Sequence, residues 1–236
     1  FGEKVSPKGH NGIAVQLAEQ VGADLTGMGD AWYMPGVQLP GETLEGENFA
    51  RILLGERSLP HSIVVNMKGR RFANEALPYD QFGRIMHETD EATGEQPNSP
   101  AWFVFDQTYW EKFGVFGTPP GGEVPSYIVQ ANSISELAEK TGMDKAGLLE
   151  TIDTFNGHAR EGHDPEFGRG KTLFDRYFGE FYPRLGDNAF EARFPSTNAK
   201  MQGTIAKLIG PVVNYLGGRT AENLDPEKLR DAVVPI

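Results

Sequence analysis

The sequence contains no cysteine, and this absence alone removes several classes of chemistry. Disulfides, thiolate nucleophiles, iron–sulfur clusters and cysteine-based zinc sites are all excluded. Long apolar runs are also missing, because aliphatic stretches such as residues 63–65 are far shorter than the roughly 20 residues of a membrane span. No basic-then-apolar signal segment opens the chain, so we expect a cytoplasmic protein without a membrane span.

Basic residues are outnumbered: 22 Lys and Arg stand against 33 Asp and Glu, a formal net charge of −11. Nucleic acids and anionic membrane surfaces are bound through Lys and Arg, so we expect neither as a partner. With 236 residues, the chain is long enough to bury a substantial core. Its 29 Gly and 16 Pro indicate a loop-rich globular protein rather than a disordered one.

Helical and strand patterns are mixed along the chain, which predicts an α+β fold with a small mixed sheet and several helices. Residues 62–67 and 101–105 are rich in β-branched and aromatic side chains and predict strands. After a turn at Lys68 and Gly69, residues 70–73 are expected to return as a second strand, whereas residues 27–55 predict an extended connector. Helical spacing or capping signals mark residues 11–25, 79–88, 106–113, 133–142 and 144–160.

Several motifs of common enzyme classes are missing. G-x-G-x-x-G, G-x-x-x-x-G-K-[ST], H-E-x-x-H and G-x-S-x-G do not occur in the sequence. Among the histidines, His158 and His163 are five residues apart, the wrong spacing for two metal ligands on one helical face. We therefore expect no metal site and no full Rossmann half in this chain.

One segment carries a distinctive pattern. Residues 66–80 read NMKGRRFANEALPYD, in which G-x-R-F-x-N-E occupies residues 69–75. This segment resembles the substrate domain of FAD-dependent dehydrogenases in the fumarate reductase/succinate dehydrogenase flavoprotein superfamily, and most resembles the 3-ketosteroid dehydrogenases. The resemblance covers roughly residues 10–182. Three further stretches fit the same group: AWYMP at residues 31–35, LPHSIVVN at 59–66 and FNGHAREGHDPEFGRG at 155–170.

The resemblance implies the substrate, or cap, domain of a flavoprotein with FAD as cofactor. It divides the chain into residues 1–40, a remnant of the flavin-binding domain with a connector, residues 41–190, the catalytic cap domain, and residues 191–236, a helical tail of unassigned role. The family's G-x-G-x-x-G loop is absent here and the sequence begins at Phe1. We therefore expect the flavin-binding half to be missing from this chain or supplied elsewhere, and we assign no residue to the cofactor.

One position separates the branches of this superfamily. At the spacing of Tyr79 the fumarate reductases carry an Arg that protonates substrate, whereas the steroid dehydrogenases carry a Tyr that acts as general base. Upstream, the fumarate reductases have a His-Pro where this chain has Met34 and Pro35. The resemblance therefore implies that Tyr79 is the catalytic base, and that Trp32, Tyr33 and Met34 bind a small apolar ketone substrate.

The implied reaction is the desaturation of a ketone. An acidified α-proton and a β-hydride are removed, and a flavin accepts the hydride. A phenolate accepts the proton when the pKa of the phenol, ordinarily about 10, is lowered. Two alternatives stay open: a fumarate reductase or succinate dehydrogenase type of protein acting on another substrate, and a flavin-free module that binds an apolar ligand.

Structural roles are the alternative for several of these residues. For Tyr79 the alternative is an anchor whose hydroxyl binds a backbone carbonyl, and for Trp32 and Tyr33 it is a place in the core. The remaining polar residues are expected to be structural: Arg71 and Glu75 as an ion pair, Asn66 and Asn74 as partners of turn backbone, and Arg169 in a surface turn rather than on a cofactor phosphate.

Overall fold

Helices and short strands are mixed along residues 9–180, the part of the chain that the computed structural model describes. The expected combination of several helices with a small amount of sheet is therefore confirmed, but the described strands form two separate antiparallel pairs rather than one mixed sheet. The predicted tail at residues 191–236 lies outside the described residues. The strands are β1 (Gly36–Leu44), β2 (Glu47–Ile52), β3 (Ser62–Asn66) and β4 (Ala101–Phe105). The helices are α1 (Ile13–Gln20), α2 (Tyr79–His87), α3 (Gln107–Phe113), α4 (Ile134–Thr141), α5 (Lys145–Glu161) and α6 (Leu173–Glu180).

Strand β3 lies at the centre of the described fold. Ile63 and Val65 pack against α4 and α5, whereas Val64, on the opposite face, packs against Phe82 of α2. All five residues of the strand are buried, so its apolar run reflects the covering of both faces. Antiparallel pairing with β4 completes this two-stranded sheet.

The expected second strand at residues 70–73 is wrong. The backbone N–H of Asn66 donates to the carbonyl of Arg70 at 2.9 Å and closes the turn, but no further ladder follows. The partner of β3 is β4, about 35 residues further along the chain. The chain turns away because the Arg71 side chain is buried in an ionic cluster described below.

The expected connector at residues 27–55 contains a hairpin instead, formed by β1 and β2. Glu45 and Gly46 have φ angles of 53° and 80°, as a two-residue type I′ turn requires. The pairing is irregular between Gln38 and Thr43, where β1 contains a Pro-Gly pair. The sequence does not predict this hairpin, because the strand contains proline and glycine, which are both typical of loops.

The helices agree with the sequence patterns except for α6, which no pattern predicted. An N-cap side chain accepts a backbone N–H in three helices: Asp106 caps α3, Ser133 caps α4 and Asp144 caps α5. Ser133 and Glu136 have the spacing of a capping box. Only half of it forms, since Glu136 accepts the N–H of Asn132 rather than that of Ser133. None of the helices in residues 9–180 is long and apolar enough to cross a membrane.

The turn that follows β3 packs closely on the first turn of α5. The backbone N–H of Asp144 donates to the carbonyl of Met67 at 2.9 Å. Gly69 has a φ of 66°, and a Cβ there would overlap the backbone of α5. A Cβ at Gly147 would overlap the carbonyl of Lys68. Both positions therefore require glycine for the two segments to approach.

Candidate active site

Two residues of the sequence motif at residues 69–75 belong to a buried ionic cluster. Arg71 binds Glu75 through two hydrogen bonds of 2.8 Å and Asp164 through two of 3.1 and 2.9 Å. These three side chains are at most 1% exposed. The predicted structural ion pair of Arg71 and Glu75 is thus present, and Asp164 joins it from 93 residues away.

Arg169 belongs to the same cluster, so its expected place in a surface turn is wrong. Its guanidinium donates to the carbonyls of Ser58, Leu59 and Ser62 at 2.7–3.0 Å and to Glu75 at 3.3 Å. The residue is 6% exposed. Since these partners occupy its side chain, Arg169 has no role as a phosphate ligand in this structure.

The carboxyl groups of the cluster are held in their charged form. Burial alone raises the pKa of Glu75, but Arg71 and Arg169 lower it by more, so that it lies below its ordinary value. The same balance of burial against hydrogen bonds from Arg71 lowers the pKa of Asp164. The cluster is therefore ionised at neutral pH, with its charges paired inside the protein.

Arg57 fixes the path of the chain into α2. Its guanidinium donates to the carbonyls of Glu75 and of Leu77, the latter at 2.6 Å, and lies 4.8 Å from the ring centre of Phe82. Burial lowers the pKa of Arg57 to about 10, so the group is still a cation at neutral pH. Because Leu77 precedes Tyr79 by two residues, Arg57 anchors the backbone just before α2 begins.

Asn66 and Asn74 have the predicted role in turns. The Asn66 side chain accepts the backbone N–H groups of Lys68 and Arg70 at 3.0 and 3.1 Å. Asn74 accepts the N–H of Ala76 at 2.8 Å and donates to Asp175 at 3.0 Å, which also joins α6 to this region.

Tyr79 is the first residue of α2 and is partly buried. Its ring centre lies 5.9 Å from that of Trp32, with a tilt of 34° between the rings. Its hydroxyl has no hydrogen-bond partner within the part of the chain that the structure describes. The alternative of an anchoring hydrogen bond to a backbone carbonyl is therefore not observed there.

The other three predicted substrate residues are brought to the same helix. The N–H of Tyr33 donates to Asp80 at 3.1 Å, and the backbone of Tyr33 and Met34 approaches Gly83 so closely that a Cβ would meet it at 2.8–3.0 Å. Trp32 is 72% exposed, so it is not part of the core. The structure thus brings Trp32 to Tyr79 and seats its neighbours on α2.

Sequence reasoning missed Arg84, which joins this segment to α2. It binds Asp30 at 2.7 and 3.3 Å and Asp80 at 3.0 Å, and its guanidinium lies 5.5 Å from the ring centre of Tyr33. Asp80 and Arg84 are four residues apart on a helix, and this spacing is the signal in the sequence that predicts their ion pair.

A separate cleft of about 790 Å³ is lined by residues of 74–81 and 164–175. Leu77, Pro78 and Gln81 line it, but Tyr79 and Trp32 do not. We therefore place the candidate site at the aromatic pair rather than in this cleft.

Potential metal ligands also lie close together: His158, Asp164 and Glu166 have ligand atoms within 4.8 Å of one another. Both oxygens of Asp164 already accept hydrogen bonds from Arg71, and three backbone N–H groups donate to them as well. With the Arg71 cation at this point, we assign no metal to the group.

The buried arginines and the capped helix N-termini are already occupied by groups of the protein and do not suit the phosphates of FAD. Among the described residues, the buried arginines are Arg57, Arg71 and Arg169, and all of them bind carbonyls or carboxylates of the protein. The first turns of α3, α4 and α5 are capped by their own side chains. Within residues 9–180 these groups do not fit a phosphate, so none of them is assigned to FAD.

The family model described as FAD binding domain matches residues 1–203. The chain belongs to the FAD binding domain family. This confirms FAD as the expected cofactor at the level of the family. The expectation that the flavin-binding half is missing is not supported, because the FAD binding domain model matches most of the chain.

Two of the curated relatives are named as dehydrogenases of oxo compounds. The chain is 41% identical over 201 residues to a 3-oxosteroid 1-dehydrogenase of Mycolicibacterium smegmatis, covering 81% of this chain and 34% of the relative. It is 37% identical over 175 residues to a 4-oxocyclohexanecarboxylate 2-dehydrogenase of Sinomonas cyclohexanicum, covering 74% and 30%. The chain thus spans about a third of the length of these relatives. These matches confirm the prediction of an FAD-dependent dehydrogenase family.

A solved structure has a similar fold. The 3-ketosteroid delta1-dehydrogenase from Sterolibacterium denitrificans, in complex with 1,4-androstadiene-3,17-dione, matches with a TM-score of 0.67 and 32% identity. The match covers 79% of this chain and 33% of that one. The resemblance to 3-ketosteroid dehydrogenases is therefore found in the fold as well as in the sequence.

Proposed function

We propose that this chain is the substrate-binding and catalytic part of an enzyme that desaturates a cyclic, 3-ketosteroid-like ketone, with Tyr79 as the base. The observation that carries the proposal is the Tyr79 hydroxyl, which has no hydrogen-bond partner among the described residues and lies beside Trp32 at the start of α2. The ketone substrates named in two relatives support the substrate class. Residues 41–190 are proposed as the cap domain.

The proposed reaction removes two hydrogens from neighbouring carbons. The α-carbon, acidified by the ketone, loses its proton to the oxygen of Tyr79 acting as a phenolate, and the electron pair of that bond forms the new double bond. The β-carbon loses a hydride, which carries two electrons to an oxidant. FAD, the cofactor of the family, supplies the hydride acceptor when it is bound. The product is an α,β-unsaturated ketone.

The charges around the aromatic pair support a ketone over a dicarboxylate. Arg84 is the cation beside Tyr33, and Asp30 and Asp80 already occupy its guanidinium. Met34 stands where the fumarate reductases carry a histidine. The exposed ring of Trp32 suits an apolar ring of the substrate, since aromatic surfaces line most small-molecule sites.

Tyr79→Phe tests the proposal. In protein loaded with FAD and supplied with a 3-ketosteroid or a 4-oxocyclohexanecarboxylate, we expect kcat to fall at least about 100-fold, because a positioned base contributes that much. KM is expected to stay within about twofold, since the ring of residue 79 is retained. Turnover is measured by loss of the flavin absorption band and by product analysis.

Tyr127→Phe is the matched control, a partly buried tyrosine in a different loop, and it should keep wild-type rates. Normal turnover in Tyr79→Phe would exclude Tyr79 as the base. Wild-type protein that binds FAD but reduces fumarate, and oxidises neither ketone, would replace the proposal with the fumarate reductase alternative.

A further inference from the structure

Arg84 bridges two separate parts of the chain. From α2 it reaches Asp80 at 3.0 Å, one turn away on the same helix. It also reaches Asp30 through two nitrogens at 2.7 and 3.3 Å, and the carbonyl of Ala31 at 3.3 Å. Asp80 uses its second oxygen to accept the N–H of Tyr33 at 3.1 Å. We name this set of contacts the Asp30–Arg84–Asp80 bridge.

The bridge holds the chain on both sides of Trp32. Asp30 and Ala31 are fixed before it, and Tyr33 is fixed after it by its N–H and by the guanidinium near its ring. Trp32 itself is 72% exposed, so core packing does little to hold its ring. The 5.9 Å separation of the Trp32 and Tyr79 rings therefore depends on how its neighbours are anchored.

We propose that Arg84 is a positioning residue: the Asp30–Arg84–Asp80 bridge sets Trp32 against Tyr79 and so forms the wall on which the substrate ring rests. This rests on the proposed function for Tyr79 and Trp32. Arg84 acts on substrate affinity through Trp32, while the backbone that leads into Tyr79 keeps a second anchor, because Arg57 donates to the carbonyl of Leu77. Loss of the bridge should therefore raise KM and leave kcat nearly unchanged.

Ionic strength gives a second signature. Arg84 and Asp30 are 45% and 57% exposed in their side chains, so salt screens their attraction. Binding of an uncharged ketone involves no charge of its own. In the wild type, KM should therefore rise with salt, and this dependence should disappear once the bridge is removed.

Arg84→Gln is the test, with Arg70→Gln as matched control, because Arg70 is an equally exposed arginine paired with Glu150 elsewhere. With the FAD-loaded protein we expect about a fivefold rise in KM for the ketone in Arg84→Gln, the size of effect that an exposed ion pair has on affinity. We expect kcat to change less than about twofold. The control should keep the wild-type KM and its salt dependence.

Fluorine NMR of fluorotryptophan-labelled protein measures the position of Trp32 without turnover. The chain has three tryptophans, and Trp32→Phe assigns the resonance of residue 32. Arg84→Gln should shift that resonance and leave those of Trp102 and Trp110 in place. An unshifted resonance with an unchanged KM would overturn the role of Arg84. If the resonance shifts but the wild-type protein oxidises no ketone, the result supports the positioning of Trp32 by the bridge and contradicts the proposed function instead.

Discussion

Glu75 is a fully buried carboxylate that keeps its charge. Two guanidiniums, those of Arg71 and Arg169, share its two oxygens. Charges removed from water are tolerated in a protein interior only when they are paired and hydrogen-bonded. A partner lost from such a group leaves an uncompensated charge behind.

Glu75→Gln should therefore destabilise the protein by about 3–5 kcal/mol, the usual loss when one member of a buried ion pair is removed. Chemical denaturation monitored by circular dichroism measures the change. Glu150→Gln, which breaks the exposed pair with Arg70, should leave the denaturation midpoint nearly unchanged. Equal effects of the two variants would show that the buried cluster contributes no more than a surface pair.

At this scale the sequence predicts what is local and misses what is distant. Arg71 and Glu75 are four residues apart, so their pairing follows from the motif. Asp164 and Arg169 come more than 90 residues later, and nothing in their own neighbourhood indicates burial. Tyr79 is recognised through its motif, whereas Arg84 depends on Asp30, 54 residues away.

The position of helix α5 depends on a glycine in its first turn. Gly147 lies in its first turn against the carbonyl of Lys68, while Gly157 has open space around the place of a Cβ. Glycine weakens a helix wherever it stands, so only close contact explains why one of these two positions requires it.

Gly147→Ala and Gly157→Ala should therefore have opposite effects. Alanine at 157 should stabilise the protein by up to about 1 kcal/mol, through helix propensity alone. Alanine at 147 should destabilise it by about 1–3 kcal/mol, because the new methyl group displaces the turn after β3. Thermal unfolding of both variants gives the comparison, and stabilisation by both would contradict the close approach.

Elements with regular periodicity were predicted, and those formed by irregular backbone were not. The cap and apolar spacing of α5 are local signals, and so is the β-branched run of β3. Strand β1 contains Pro40 and Gly41, and its pairing depends on the turn at Glu45 and Gly46. The return strand expected at residues 70–73 failed because side-chain burial, rather than strand propensity, decides that path.

Across the whole described fold, the ionic cluster joins segments that are remote in sequence. Arg169 holds the carbonyls of Ser58, Leu59 and Ser62, Arg71 reaches residues 75 and 164, and Asn74 binds Asp175 in α6. No single element contains the cluster. The charge state of the cluster therefore affects all the segments that it joins.

Acid should unfold this protein cooperatively. The pKa values of Glu75 and Asp164 are lower in the folded protein than in the unfolded chain. Their stabilisation is therefore complete at neutral pH and is lost as the pH falls below about 4, where the unfolded carboxyls take up protons. Denaturation midpoints measured from pH 7 to pH 3 should fall steeply at the acid end. Glu75→Gln should reduce this slope, and an equally steep slope in that variant would assign the effect to other carboxyls.

The buried cluster also bears on how this sequence can change over generations. Two carboxylates and two guanidiniums balance one another at Arg71, Glu75, Asp164 and Arg169. Replacing any one of them alone leaves an unpaired charge in the interior of the protein. This holds even if replacing all four with apolar residues would give a stable protein. These four positions should therefore show strong epistasis, with most viable variants carrying compensating substitutions together, and a one-step mutational scan would underestimate what the fold tolerates.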